Sequence, residues 1–299
     1  MNNNFQFGLY SRGVPIMGSG QDISGSTYFV DNNSGSDSSN DGLSWETAYK
    51  TLAKAIAVSN IDIARGSDRW ARRNTIYYCA DTETATLVAF PNKCDVIGCG
   101  SYDANKQPGI TGNHAPVNAG NYGTRFINVW FKAPVVASPI ITLASTSGGI
   151  EFHNCTFDGV VGTVTTAITA TAATFLKIKN CKFKGGFATA NVSIGTGAMV
   201  ECDIEDNEMI GSAGDGIVIH SGTTVAYGGI IARNFISATT VCINDASSKL
   251  NVYNNRCITA NAKGVAGAGA IVAGAKMMLD NRISTSDVAN AVVPAEGAL

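Results

Sequence analysis

The six-residue strings FHNCTF (152–157), IKNCKF (178–183) and IEDNEM (204–209) share apolar ends around a small polar centre. The same pattern fits FINVWF at 126–131, with Val in the fourth place, and IARNFI, VYNNRC and MLDNRI at 231–236, 252–257 and 278–283. The fourth-place residues are Val129, Cys155, Cys181, Asn207, Asn234, Asn255 and Asn281, separated by 26, 26, 26, 27, 21 and 26 residues. A self-similar period of this size marks a solenoid, in which each repeat buries its apolar side only by stacking on its neighbours.

The fixed leucines of leucine-rich repeats are absent, and helical repeats run longer and need apolar residues every 3.6 positions. Short alternating segments such as FLKIKN and GIVIHSG read instead as strands. A second column supports this: AITA (167–170), GIVI (216–219), VCIN (241–244) and GAIV (269–272) each lie upstream of a repeat. Charged residues are only 15% and glycines number 33, which suits much sheet and little polar helix surface. The expected fold is all-β, a right-handed parallel β-helix over residues 76–290. First and sixth positions of the pattern then stack in the core. The third and fourth form a tight bend, where Asn tolerates left-handed backbone and can bond to its counterparts one turn above and below. The third place reads Asn128, Asn154, Asn180, Asp206, Arg233, Asn254 and Asp280; Cys155, Cys181, Asn207, Asn234, Asn255 and Asn281 form the expected structural ladder. The pattern leaves open which bend position faces inward.

The stretch YFVDNNSGSDSSNDGLSWETAYKTLAKAI (28–56) adds a second signal. Ser44 is a candidate N-cap with Glu46 in the first turn, and Ala48, Leu52, Ala55 and Ile56 share one face of an amphipathic helix. Such a helix would cover the open end of a parallel stack. The segment resembles the start of pectate-lyase-like β-helix proteins: a YYV-type strand, a Gly/Asp/Ser/Asn loop, then T-L-x-x-A-I. RNTIYYCAD and NKCDVIGCGS look like the first turns of that family. The organisation expected is an extended N-terminal arm (1–27), an opening strand, loop and capping helix (28–75), the β-helix (76–290) and a C-terminal tail (291–299). Within the superfamily, the chain looks most like bacteriophage virion proteins. That resemblance implies a capsid decoration or short spike-like accessory protein, a homo-oligomer and in particular a trimer, docked on the capsid or another virion protein and assembled in the host cytoplasm.

Net charge is −2, which gives no electrostatic support for nucleic-acid binding. No apolar run of about 18 residues or secretory signal is visible, so neither a membrane partner nor export is expected. Eight cysteines show no CxxC pair and no zinc spacing, and read as reduced, buried small hydrophobes. Three scattered histidines make no metal site, and no cofactor is expected. DSSNDG (37–42) opens like a calcium loop, but Ala48 holds the twelfth place, which favours a capping turn.

The polygalacturonase signatures (N-T-D, D-D, G-H-G, R-I-K) and the R-x-P-x-x-R and W-I-D-H motifs of pectate lyases are absent, so the sequence favours a non-catalytic protein. The alternative is a polysaccharide lyase or glycoside hydrolase working on the outer face. Its best candidates lie in ECDIEDNE (201–208), where Glu201, Asp203 or Glu205 could pair across a sugar bond; the competing reading is a solvated acidic patch. Asp215 and His220 fall on opposite faces of a strand. A third possibility, a host-glycan adhesin, needs exposed aromatics along one face, which the sequence does not clearly offer. Partner contacts are expected from Phe5, Phe7, Tyr10 and Arg12 in an arm richer in apolar residues than an ordinary disordered tail. Arg69, Trp70, Arg72 and Arg73 form the one basic run, either an interface or a solvated crossing.

Overall fold

The computed structural model describes residues 9–11, 14–16, 25–65, 72–100, 107–117, 123–134, 137–144, 147–159, 164–195, 197–220, 224–227, 229–247, 250–259, 265–266, 278–279 and 282–285. Its strands stack in parallel as a β-solenoid with three main sheets. A ten-stranded first sheet runs from Thr27–Asp31 through Asn74–Cys79, Cys94–Gly98, Thr124–Ile127, Ile150–His153, Lys177–Lys179, Asp203–Glu205, Ile230–Ala232 and Asn251–Tyr253 to Met278–Leu279. A nine-stranded second sheet includes Trp130–Lys132, Thr156–Asp158, Lys182–Lys184, Glu208–Ser212, Phe235–Ala238 and Arg256–Thr259. A six-stranded third sheet includes Thr166–Ala170, Ala190–Ile194 and Asp215–Ile219. The parallel β-helix expected from the repeat is therefore present.

The bend between first and second sheets explains the repeat. Third-place residues Asn128, Asn154, Asn180, Asp206, Arg233 and Asn254 all have φ between 53° and 60°. This left-handed conformation turns the chain in one residue. Fourth-place residues Val129, Cys155, Cys181, Asn207, Asn234 and Asn255 are at most 2% exposed and point inward. That settles the direction the sequence left open. Asp280 and Asn281 lie outside the described residues.

The asparagines form a continuous hydrogen-bonded file. Asn207 Nδ2 donates to Asn234 Oδ1 (2.9 Å), and Asn234 Nδ2 to Asn255 Oδ1 (2.9 Å). The same oxygens accept the backbone N–H of Asn207 and Asn234 at 3.0 Å each. Each side chain also donates to the first-place carbonyl one turn earlier: Asn207 to Ile178 (2.8 Å), Asn234 to Ile204 (2.9 Å) and Asn255 to Ile231 (2.9 Å). Cysteine takes over this last role where the file ends. Cys155 Sγ donates to Phe126 O at 3.3 Å and Cys181 Sγ to Phe152 O at 3.4 Å. A thiol is a weak donor, yet at this position it reaches the carbonyl an amide would reach.

First- and sixth-place side chains fill the core as rows. Phe126 and Phe152 stack at 5.7 Å, Phe131 and Phe157 at 5.4 Å, and Phe157 and Phe183 at 4.8 Å, with planes within 20° in each pair. Farther along, Ile204, Ile231 and Val252, then Met209 and Ile236, continue the rows as aliphatics.

The capping helix spans Leu52–Ala64 and buries Leu52, Ala55, Ile56 and Ile63. Its N-cap is Thr51, whose side chain accepts from Lys54 N, and not Ser44. Ser44 Oγ instead accepts from Thr47 N in a local turn, and Asp37 holds the backbone N–H groups of Lys50 and Thr51 ahead of the helix. Residues 42 and 49 also shield the outermost strand of the first sheet: Phe29 N donates to Gly42 O (2.8 Å), and Phe29 O accepts from Tyr49 N (2.9 Å). Gly42 has φ +73°, and a Cβ there would strike the Tyr49 ring at 2.2 Å, so this edge cover needs glycine.

Candidate functional site

Outward-facing residues of the first sheet carry the acidic cluster, and parallel register aligns them in two columns. Asp95, Arg125, Glu151, Lys177 and Asp203 occupy successive rungs of one column, so charge alternates from strand to strand. His153, Lys179 and Glu205 occupy the neighbouring column. Ion pairs join the two into a network. Arg125 Nε lies 3.8 Å from Asp95 and 3.5 Å from Glu151; Lys177 lies 3.7 Å from Glu151; Lys179 reaches Glu205 at 2.8 Å and Asp203 at 3.8 Å. His153 Nε2 sits 2.8 Å from Glu151. Arg233 leaves its left-handed bend to contact Glu205 and, at 2.7 Å, Asp206.

The three candidate catalytic residues separate in this setting. Glu201 is not on the strand: it sits in a left-handed bend (φ 48°) and is exposed, with buried Cys202 between it and strand Asp203–Glu205. Asp203 and Glu205 do share the outer face. Burial, opposed by Lys179 and Lys177 and reinforced by Glu205 and Glu201, holds Asp203 above the ordinary aspartate range. Burial acts on Glu205 in the same direction, but hydrogen bonds and charge from Lys179 and Arg233 outweigh it and hold its carboxyl low. Both Glu205 oxygens are engaged, one by each cation, and its side chain is 10% exposed. Two neighbouring carboxylates with pKa values pushed apart are what acid–base catalysis requires. A carboxylate clamped on both oxygens is poorly placed to attack a substrate or accept its proton.

The other candidates are held in local structure. Asp215 Oδ1 accepts from Thr240 Oγ1 and Val241 N, whereas His220 Nε2 lies 3.3 Å from Ser193 Oγ, so the two serve different contacts. In the DSSNDG loop, Asp37 accepts from Lys50 N, Thr51 N and Thr51 Oγ1, and Asp41 from Leu43 N and Thr47 Oγ1. His114 is a core residue: Nδ1 accepts from Leu87 N, its ring meets Phe131 edge-on, and burial pushes its pKa down to about 4. Among the described residues, no three His, Cys, Asp or Glu side chains are grouped to hold a metal ion. All eight cysteines are free thiols, of which Cys99 is exposed.

Among the expected partner contacts, Arg73 is bonded to Asp95 (Nε, 3.0 Å) and Gly123 O (2.8 Å), and Arg72 lies 3.5 Å from Asp62. Tyr10 belongs to strand Leu9–Ser11, which pairs antiparallel with Val14–Ile16 in a ribbon separate from the solenoid sheets. Phe5, Phe7, Arg12, Arg69 and Trp70 lie outside the described residues.

Sequence reasoning missed two features of this face. The alternating column was legible, because Asp95, Arg125, Glu151, Lys177 and Asp203 are 30, 26, 26 and 26 residues apart, the period of the bends themselves. The second is an aromatic group at the capped end: Trp45 packs edge-on to Phe29 at 4.9 Å, and Phe29 stacks on Tyr77 at 5.6 Å. Searches of family models, curated proteins and solved structures gave no match to this chain.

Proposed function

We propose that the protein is a non-catalytic structural component of a virion, a capsid decoration or short spike-like accessory protein that docks through its N-terminal arm and a lateral face of the solenoid. One observation carries this reading. The carboxylates best placed for catalysis on the outer face are tied into a cross-strand ionic network that holds neighbouring rungs in register. Opposite charges facing across strands favour one register and disfavour slippage. A stiff rod with broad lateral faces suits a part whose work is mechanical, since stable interfaces need about 1,200–2,000 Å² of buried surface. Residues 28–56 resemble the start of pectate-lyase-like β-helix proteins; the virion setting, the trimer and assembly in the host cytoplasm rest on the further likeness of the chain, within that superfamily, to bacteriophage virion proteins. Mass spectrometry of intact particles tests it: a fixed copy number, hundreds for decoration or a few for a spike, supports the reading, and absence from particles overturns it.

One observation favours the alternative, a polysaccharide lyase or hydrolase: Asp203 and Glu205 face outward two residues apart with carboxyl pKa values shifted in opposite directions. Product release from an acidic polysaccharide, lost in Asp203→Asn, would establish that function instead.

A further inference from the structure

The outer column that carries His153, Lys179 and Glu205 changes character toward the cap. There, register aligns Phe29, Tyr77, Ile97 and Ile127 on four successive rungs, a row of roughly 14 Å at about 4.8 Å per rung. Trp45, 43% exposed, extends it by packing on Phe29, and Leu43, two residues away in the sequence, is 59% exposed. The row members are half-buried, and none is charged. A contiguous apolar strip that stops where an ionic network begins is the signature of an interaction surface, unlike apolar residues scattered singly.

We propose that this row receives the N-terminal arm, residues 1–24, of a second copy of the chain. The inference rests on the assembly reading above and names its partner and contact. The arm has the matching chemistry: Phe5, Phe7, Leu9, Val14, Ile16 and Met17 lie in a stretch with no charged side chain before Arg12. The ribbon Leu9–Ser11/Val14–Ile16 joins none of the solenoid sheets, and a lone two-stranded ribbon is at best marginal in water, so it requires a surface to order against. Position lets the arm reach the chain's own row as readily as a neighbour's, and the oligomeric assembly proposed above selects the neighbour's. Ser26 N donates to Asn74 Oδ1 (2.8 Å) and Ser26 Oγ to Asp62 Oδ2 of the capping helix (2.7 Å), which fastens the root of the arm beside the cap. The row begins at Phe29, three residues on, and runs down the stack. Twenty-four extended residues span roughly 80 Å, ample to reach an adjacent copy. Passing each arm to the next subunit around a ring would close a symmetric oligomer such as the proposed trimer.

A photo-crosslinking experiment on the full chain tests this directly. p-Benzoylphenylalanine is placed at Ile97 in the row and, as a control, at exposed Val88 outside it. Light and 15N-labelled chains are co-refolded before irradiation. The expected result is cross-links from position 97 to peptides within residues 1–24, about half of them joining light to heavy chains, and none from position 88. Cross-links to residues 1–24 within one isotope only would assign the row to the chain's own arm and overturn the proposal, as would cross-links to other peptides or none. Sedimentation separates the two levels of the argument. Ile97→Lys and deletion of residues 1–20 should each weaken self-association at least tenfold. If the deletion dissociates the oligomer and Ile97→Lys does not, the arm keeps its role and this surface loses it; if neither matters, both readings fall.

Discussion

Replacing Asn234 by Ala removes the middle rung of the asparagine file. The side chain is 1% exposed and its Oδ1 accepts two donors, Asn207 N and Asn207 Nδ2. After truncation Asn207 Nδ2 keeps its bond to Ile178 O, but the backbone N–H of Asn207 and one amide hydrogen face a methyl group. A buried donor left without a partner costs about 1–3 kcal/mol, so the substitution should destabilise by roughly 2–5 kcal/mol. Cys181→Ala makes a comparison at an equivalent site. It removes one weak S–H donor and a sulfur-sized volume, a loss of about 1 kcal/mol. Guanidinium unfolding gives the ranking, and hydrogen exchange gives the location, because the Asn207 amide should lose protection in Asn234→Ala while amides several turns away change little. Equal losses in the two variants, or an Asn207 amide as protected as in wild type, would refute the view that side-chain amides hold the bends together.

Three further outcomes follow from the electrostatics and burial. Glu205 is held below its ordinary range, so its stabilisation is present above the unfolded value, about 4.3, and is lost as pH falls through the lower folded value. Glu205→Gln should therefore cost about 1–2 kcal/mol at neutral pH, discounted because Arg233 is 43% exposed, with the deficit shrinking in unfolding curves taken below about pH 4. Glu83 behaves with the opposite sign. It is 2% exposed and accepts from Leu52 N at the start of the capping helix, and burial holds its carboxyl high, with Asp37 adding to the effect. Its contribution is complete below the unfolded value and is lost as pH rises through the higher folded one, so Glu83→Gln should equal or exceed wild-type stability at pH 7 and converge with it near pH 4. Thiol titration of the native protein should modify Cys99 first and Cys79 more slowly, leaving the six buried cysteines silent until unfolding; fast reaction of Cys155 or Cys181 would contradict the core assignment.

Much of the fold was legible because two residues per turn have strict tasks. Asn at the third place permits φ near 55°, and Asn or Cys at the fourth donates to a carbonyl one turn back, so both leave a period in the sequence. Arg233 shows the tolerance of that rule, since it takes the same conformation and is held by Asp206 and Glu205. The helix start was misread because Ser44 and Thr51 are both competent caps, and only the contact of Asp37 with residues 50 and 51 chooses between them. Glu201 looked like a partner of Asp203 because alternation predicts a shared face; a left-handed residue at the corner breaks the alternation, and nothing local marks Glu as its occupant. The aromatic strip was hidden for another reason. Phe29, Tyr77, Ile97 and Ile127 are separated by 48, 20 and 30 residues, because the first turns carry the capping helix and long insertions that disrupt the period.

The central functional claim is that the outer acidic cluster fastens rungs to one another and does not cleave a substrate. Its most direct test follows wild type and Asp203→Asn through two readouts, the unfolding midpoint and the release of reducing or unsaturated ends from acidic and neutral polysaccharides. The account predicts no release by either protein. Turnover by wild type that disappears in a folded Asp203→Asn variant would contradict it.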